Sequence, residues 1–223
     1  MPGAGEIWER SMPYGMAGAM GKYFGTDGFR GEANVDLKVE QAFKVGRFLG
    51  WYYGQEHKAK VVIGKDTRRS SYMFEDALSA GLTASGADVY LLHVTPTPSV
   101  SYVVRSEDFD CGIMISASHN PYYDNGIKVI NGKGYKLEAA IEEKIEAYLD
   151  GEMGEIPFAT RDDIGCASDY SMGRNRYIGY LISLAVRSFK NMRVGLDCSN
   201  GSAFSIAKSV FDALGAKTYV INN

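Results

Sequence analysis

This sequence of 223 residues has no excess of basic charge: 24 lysines and arginines stand against 27 aspartates and glutamates, a net charge of −3. No global positive field draws nucleic acid, so any anionic ligand must be held by a local cluster. Cysteine is scarce, with three residues and no C-x-x-C pair, which excludes a disulfide framework and a zinc site of the usual spacing. Cys111 and Cys198 fall in apolar, strand-like runs, which predicts buried thiols in a reducing, cytoplasmic compartment. No apolar run approaches the ~18 residues of a membrane span, so no membrane association is expected. Residues Met1–Ala19 mix Glu6, Glu9 and Arg10 with Gly, Pro and Met. They lack the basic start and apolar stretch of a signal peptide, and residues 1–20 read as a disordered extension. The P-loop and Rossmann glycine patterns are absent, and Ser118 does not sit in the G-x-S-x-G of a hydrolase elbow.

What is present alternates between helix and strand. Apolar residues recur at helical spacing over Asp36–Gln55, with Asp36 as the expected cap, and again from Ser70 or Ser71 to Gly86. Short apolar runs at 60–64, 88–93, 110–115 and 126–130 read as strands. Thr95–Pro98 reads as a rigid turn before a short helix over 99–105. Asp124-Asn125-Gly126 between two apolar runs reads as a hairpin turn. An amphipathic helix is expected over 138–149, with Ile141, Ile145, Tyr148 and Leu149 inward. The polar stretch 151–163 reads as a boundary. After it come a helix over 169–186, a strand at 193–197, a helix over 202–214 and a strand at 218–221. The expectation is an α/β protein: a three-layer α/β/α domain over 21–160 with a mixed, mostly parallel sheet, then the truncated first part of a similar domain over 161–223. The final strand, taken as unpaired, is an open edge that could support a homodimer.

Three segments carry unusual chemistry. Gly25–Gly31 puts three glycines around Arg30, whose guanidinium can fork a phosphate. Gly64–Ser70 leaves a strand and enters a helix with Lys65, Arg68 and Arg69, where α/β sheets bind ligands and helix N-termini attract anions. Ile115–Pro121 gathers two hydroxyls, an imidazole and an amide in one loop past a strand, stiffened by Pro121. Read separately, the first two serve equally well as a tight turn and a solvated strand end.

Together, in order and spacing, these segments resemble the α-D-phosphohexomutase family, and the likeness runs from Lys22 to Ile221. The resemblance implies that Ser118, directly before His119 in Ser116-Ala117-Ser118-His119-Asn120-Pro121, carries the phosphoryl group, and that its phosphate oxygen meets Mg²⁺. It implies catalytic roles for Ser118, His119, Lys128 and Arg30, and phosphate or substrate contacts for Gly28, Lys65, Arg68 and Asn120. Lys128 or His119 would manage the hydroxyl proton. Ser116 and the opening Tyr23–Gly31 are similar to the branch that acts on glucosamine phosphates. The implied reaction interconverts glucosamine 6-phosphate and glucosamine 1-phosphate through a 1,6-bisphosphate. Action on glucose or mannose phosphates is the first alternative, and a binding fragment without turnover the second, because no Asp-x-Asp-x-Asp metal loop occurs in residues 1–223.

Overall fold

The structure, a computed structural model, describes residues 21–223; the expected extension over 1–20 lies outside the described residues. In chain order the elements are β1 (Phe24–Gly25), β2 (Gly28–Glu32), α1 (Val39–Tyr53), β3 (Lys60–Lys65), α2 (Arg69–Ala84), β4 (Asp88–Val94), α3 (Thr97–Ser106), β5 (Cys111–Ile115), β6 (Asp124–Asn131) and α4 (Ala139–Leu149). A 3-10 turn (Arg161–Asp163) precedes β7 (Ala167–Asp169), α5 (Ser171–Ser183), β8 (Arg193–Asp197), α6 (Phe204–Ala213) and β9 (Lys217–Ile221). The main sheet has seven strands in the order β1-β2-β6-β5-β3-β4-β7. β2, β3, β4, β5 and β7 run one way and β1 and β6 the other, so the sheet is mixed and mostly parallel.

The alternating apolar residues of the central strands serve two layers. Val61, Ile63, Ile113 and Ile115 meet Phe48 of α1, Leu78 of α2 and Ile145 of α4. Val62, Leu92 and Met114 face the other way, against Val100, Val103 and Val104 of α3. This two-sided burial is why these strands read as short continuous apolar runs. β8 and β9 form a separate parallel pair, so the last strand is paired on one side rather than unpaired. β7 adds itself to β4 of the main sheet, so the chain returns to the first sheet after residue 160 before starting the second.

Several local expectations are corrected. Asp36 does not cap α1: its carboxylate accepts the Glu32 N–H at 3.1 Å within the preceding turn. Gln41 instead reaches back to the Lys38 N–H at 2.8 Å. Neither Ser70 nor Ser71 caps α2, which begins after Arg68. The start of the helix is tied from upstream by Asp66, whose Oδ1 accepts the Arg68 N–H at 3.0 Å and the Ser71 hydroxyl at 2.7 Å. The Thr95–Pro98 turn is already helical from Thr97, because Pro98 falls in the first turn of α3, where its missing N–H costs no intrahelical bond. α5 spans 171–183, shorter than expected.

Asp124-Asn125-Gly126 is not a turn. It opens β6, paired with Glu32, Gly31 and Arg30 of β2, and the connection from β5 is the loop 116–123. The Asn125 carboxamide is fully buried. It donates to Ser70 Oγ at 2.9 Å and Ser71 Oγ at 3.0 Å and accepts the Gly126 N–H at 2.8 Å, so it ties β6 to α2 instead of bending the chain. Among the cysteines, Cys111 is buried as expected, whereas Cys198 is only half-buried and Cys166 is exposed.

Candidate active site

The loop 116–123 leaves the carboxyl end of β5 and turns back into β6. Ser118 stands in it with φ +57°, a left-handed conformation uncommon for a residue with a side chain. Its N–H donates to Ser116 Oγ at 3.0 Å, and its exposed Oγ lies 3.4 Å from His119 Nδ1. Arg68 holds the loop from outside. Its guanidinium donates to the carbonyls of Ser118 at 2.9 Å, Asn120 at 3.0 Å and Pro121 at 3.3 Å. The same side chain pairs with Asp66 across 3.0 Å. The loop is thus a rigid platform rather than a flexible connector.

Backbone proximity explains two glycines. A Cβ on Gly126 would stand 2.8 Å from the Ser116 carbonyl oxygen and 2.9 Å from Arg30 Cγ. Gly28 has φ +88°, and a Cβ there would approach the Ile127 carbonyl to 2.4 Å. Only glycine lets β2, β6 and the Ser118 loop converge.

β2 and β6 place the next cations. Arg30 pairs with Gly126, and Lys128, two residues on, pairs with Met114, so Arg30 and Lys128 share the α3 face of the sheet at a diagonal. The Arg30 guanidinium reaches Asn120 Oδ1 at 3.4 Å and pairs with Asp27 at 3.2 Å. Its Nε is buried with no acceptor among the described residues. Burial first, and the Arg30 guanidinium second, hold the Lys128 ammonium below its ordinary range.

A cavity of about 1140 Å³ gathers Ser118, His119, Asn120 and Lys128, together with Arg68 and Arg69. The loop 199–202 forms its far wall and is tied to the near one by Thr67 Oγ1 donating to the Asn200 carbonyl at 2.8 Å. Not every expected residue is there. Lys65 is 3% exposed and does not line the cavity. Its ammonium is ion-paired with Glu75 and lies over the Tyr72 ring. Arg68 is present, but its donors are engaged by loop carbonyls. Arg69, the weakest candidate of the three strand-end cations, lines the cavity at the N-terminus of α2. Asp66 and Asn125 were missed because nothing local marks a buried polar tie. The one readable hint was an aspartate five residues before a serine at a helix start.

Residues 21–154 match the family described as phosphoglucomutase/phosphomannomutase, alpha/beta/alpha domain I. The chain belongs to this family. A phosphoglucosamine mutase of Lachnoclostridium phytofermentans is 78% identical over 203 residues, covering 91% of this chain and 45% of the relative. One from Lachnospira eligens is 75% identical over 206 residues, with 91% and 46% covered. The chain therefore spans under half the length of the curated relatives it matches. Among solved structures, a putative phosphomannomutase from Thermus thermophilus superposes with a TM-score of 0.73 at 26% identity, over 89% of this chain and 45% of that one. A phosphoglucomutase/phosphomannomutase family protein from Burkholderia thailandensis gives 0.72 at 23% identity, with 87% and 42% covered, a likeness of fold.

The family is generally magnesium-dependent. The residues described here do not by themselves fit such a site, because among them no three His, Cys, Asp or Glu side chains stand close enough to hold a metal ion. Mg²⁺ wants about six oxygens in a near-octahedral arrangement.

Proposed function

We propose that this chain is the phosphoryl-carrying part of a phosphoglucosamine mutase and that Ser118 carries the phosphoryl group. The observation that supports this is the exposed Ser118 hydroxyl, fixed in a left-handed turn by Arg68 and opening into a cavity with Lys128 and Arg69. In the proposed reaction the bond between phosphorus and Ser118 Oγ breaks as one forms to O1 of glucosamine 6-phosphate. The O1 hydroxyl proton ends on Oγ. The 1,6-bisphosphate then turns over and returns the phosphoryl group at O6 to Ser118, leaving glucosamine 1-phosphate. Such transfers depend on positioning and on cations around the moving group. Arg69 suits that role, while Arg30, which does not line the cavity, stands behind Asn120 and beside Lys128. Lys128 and His119 flank the path of the proton, and the lowered Lys128 pKa raises the share of neutral amine able to take it up. Asn120 orients Arg30, and Gly28 admits the backbone of β6.

The glucosamine assignment rests on the relatives named phosphoglucosamine mutase. The missing carboxylate cluster favours a second reading of this chain taken alone: it binds sugar phosphates without sustained turnover, and the metal dependence of the family needs carboxylates from outside these residues. We also assign the chain to the cytoplasm and place the domain division after β7, the last strand of the first sheet, rather than near residue 160. Among the described residues no helix is long and apolar enough to cross a membrane. The test is a substrate panel on the protein carried to the length of its relatives. Glucosamine phosphates should turn over best, and a preference for mannose or glucose phosphates would overturn the assignment. Calorimetry on the present chain separates binding from turnover.

A further inference from the structure

Asp66, Ser71 and Asn125 form a buried polar chain behind the Ser118 cavity, 8%, 0% and 0% exposed. The direction of its hydrogen bonds is forced from both ends. A carboxylate can only accept, so the Ser71 hydroxyl donates its proton to Asp66 Oδ1, 2.7 Å away. Ser71 Oγ is then left as an acceptor, and Asn125 Nδ2 donates to it at 3.0 Å. At the other end the Asn125 oxygen accepts the Gly126 N–H at 2.8 Å, which fixes the carboxamide with its nitrogen toward α2. The second Nδ2 hydrogen goes to Ser70 Oγ at 2.9 Å. Ser70 is therefore an acceptor on its inner side, and its own proton has no acceptor among the described residues. Ser70 is half-buried and lines the cavity that holds Ser118. The buried chain thus leaves one hydroxyl proton unused, on a residue of the cavity wall.

Ser70 and Ser118 reach the cavity from adjoining elements. Arg68, directly before α2, donates to the Ser118 carbonyl at 2.9 Å, and the Gly126 carbonyl, next to Asn125, accepts the Ser116 N–H at 2.9 Å. We propose that Ser70 is a catalytic residue whose hydroxyl donates a hydrogen bond to an oxygen of the phosphoryl group on Ser118. This rests on the reading that Ser118 carries that group. In the transfer the bond from phosphorus to Ser118 Oγ breaks and the bond to the sugar oxygen forms, while the Ser70 proton stays on Ser70. Charge in such a transfer is spread over the equatorial oxygens, and a donor already aimed at one of them needs no reorganisation. Arg69 and Lys128 bring charge to the same cavity; a hydroxyl held by an amide brings direction. The same network argues against Ser70 as the phosphoryl carrier. Its proton has no base within hydrogen-bond distance among the described residues, whereas Ser118 has His119 Nδ1 at 3.4 Å.

The test uses the protein carried to the length of its relatives, phosphorylated with a hexose 1,6-bisphosphate, as wild type, Ser70→Ala and Ser70→Thr. Phosphorus NMR follows the titration of the phosphoserine, and a steady-state assay gives kcat and KM. A seryl phosphate loses its second proton with a pKa of about 6, and a donor to its oxygens favours the dianion. Ser70→Ala should therefore move the midpoint up by about 0.5 in pH. It should lower kcat by about tenfold to hundredfold, the loss expected of one hydrogen bond to a charged group, with KM changed less than about twofold. Ser70→Thr, which keeps the hydroxyl, should restore both. An unchanged midpoint and kcat in Ser70→Ala, or an equal loss in Ser70→Thr, would overturn the Ser70 contact and leave the phosphoserine in place. A wild type with no phosphoryl group on Ser118 would overturn both.

Discussion

Lys128 is a half-buried cation beside a second cation, Arg30, and both influences act in one direction. The folded pKa lies below the 10.5 of an unperturbed lysine. Between those two values the unfolded chain binds more protons than the folded one, so stability rises with pH across that window and is insensitive to this group below it. Titration of the Lys128 ε-carbon by NMR should therefore show a midpoint below 10.5. Arg30→Met should move the midpoint up without restoring it, because burial is the larger cause. A midpoint at or above the ordinary value in the wild type would remove Lys128 from the proposed proton path. At this scale the sequence was partly legible. Charge and position singled out Lys65 and Arg68, and the family resemblance Lys128, but neither could say that Lys65 finds Glu75 in the second turn of α2, or that Arg68 turns back to its own loop. Those outcomes depend on partners set by the packing of α2 against the sheet.

The Ser118 loop works because three elements press against it: β2, β6 and the start of α2. Gly126→Ala introduces a Cβ at 2.8 Å from the Ser116 carbonyl oxygen, with backbone on that side and no flexible chain to yield. It should cost about 1–3 kcal/mol, the usual range for overpacking, seen as a lower urea midpoint with an unchanged slope. Arg68→Met should cost about 2–3 kcal/mol, since hydrogen bonds from a charged group are worth about 1.5–3 kcal/mol each before solvent screening, and should expose the loop to proteolysis after residue 118. A wild-type urea midpoint for either variant would mean that the loop is held by something else. β3 to β6, β8 and β9 were legible as apolar runs, with β8 placed to the residue, whereas β1 and β2 were not, because Gly25–Gly31 reads as a glycine-rich turn. Asn125-Gly126 was misread because the same dipeptide that makes a tight turn also suits a strand opening where a carboxamide is buried and a neighbouring backbone comes close. Sequence shows the residue types, not the partner strand.

At the scale of the molecule, the described residues form a seven-stranded sheet, with a cavity beside Ser118 lined by Arg68, Arg69 and Lys128, and a separate two-stranded parallel pair. No carboxylate cluster suited to a metal ion occurs among the described residues. In a coupled assay with millimolar Mg²⁺ and catalytic bisphosphate, the present chain should show no turnover approaching the ~10 s⁻¹ of a typical enzyme; a rate of that order would show that the cavity described here is sufficient. The α/β class and the mixed sheet were readable from the alternation of elements. The return of β7 to the first sheet was not, because three residues carry too little pattern. The central claim is that Ser118 carries the phosphoryl group, and peptide mapping tests it most directly. The protein, carried to the length of its relatives, is incubated with a hexose 1,6-bisphosphate, and its intact mass and phosphopeptides are measured. A single phosphoryl group on Ser118, absent from Ser118→Ala, is the predicted result; a phosphoryl group on Ser116 or Ser70, or one that persists in Ser118→Ala, would contradict it.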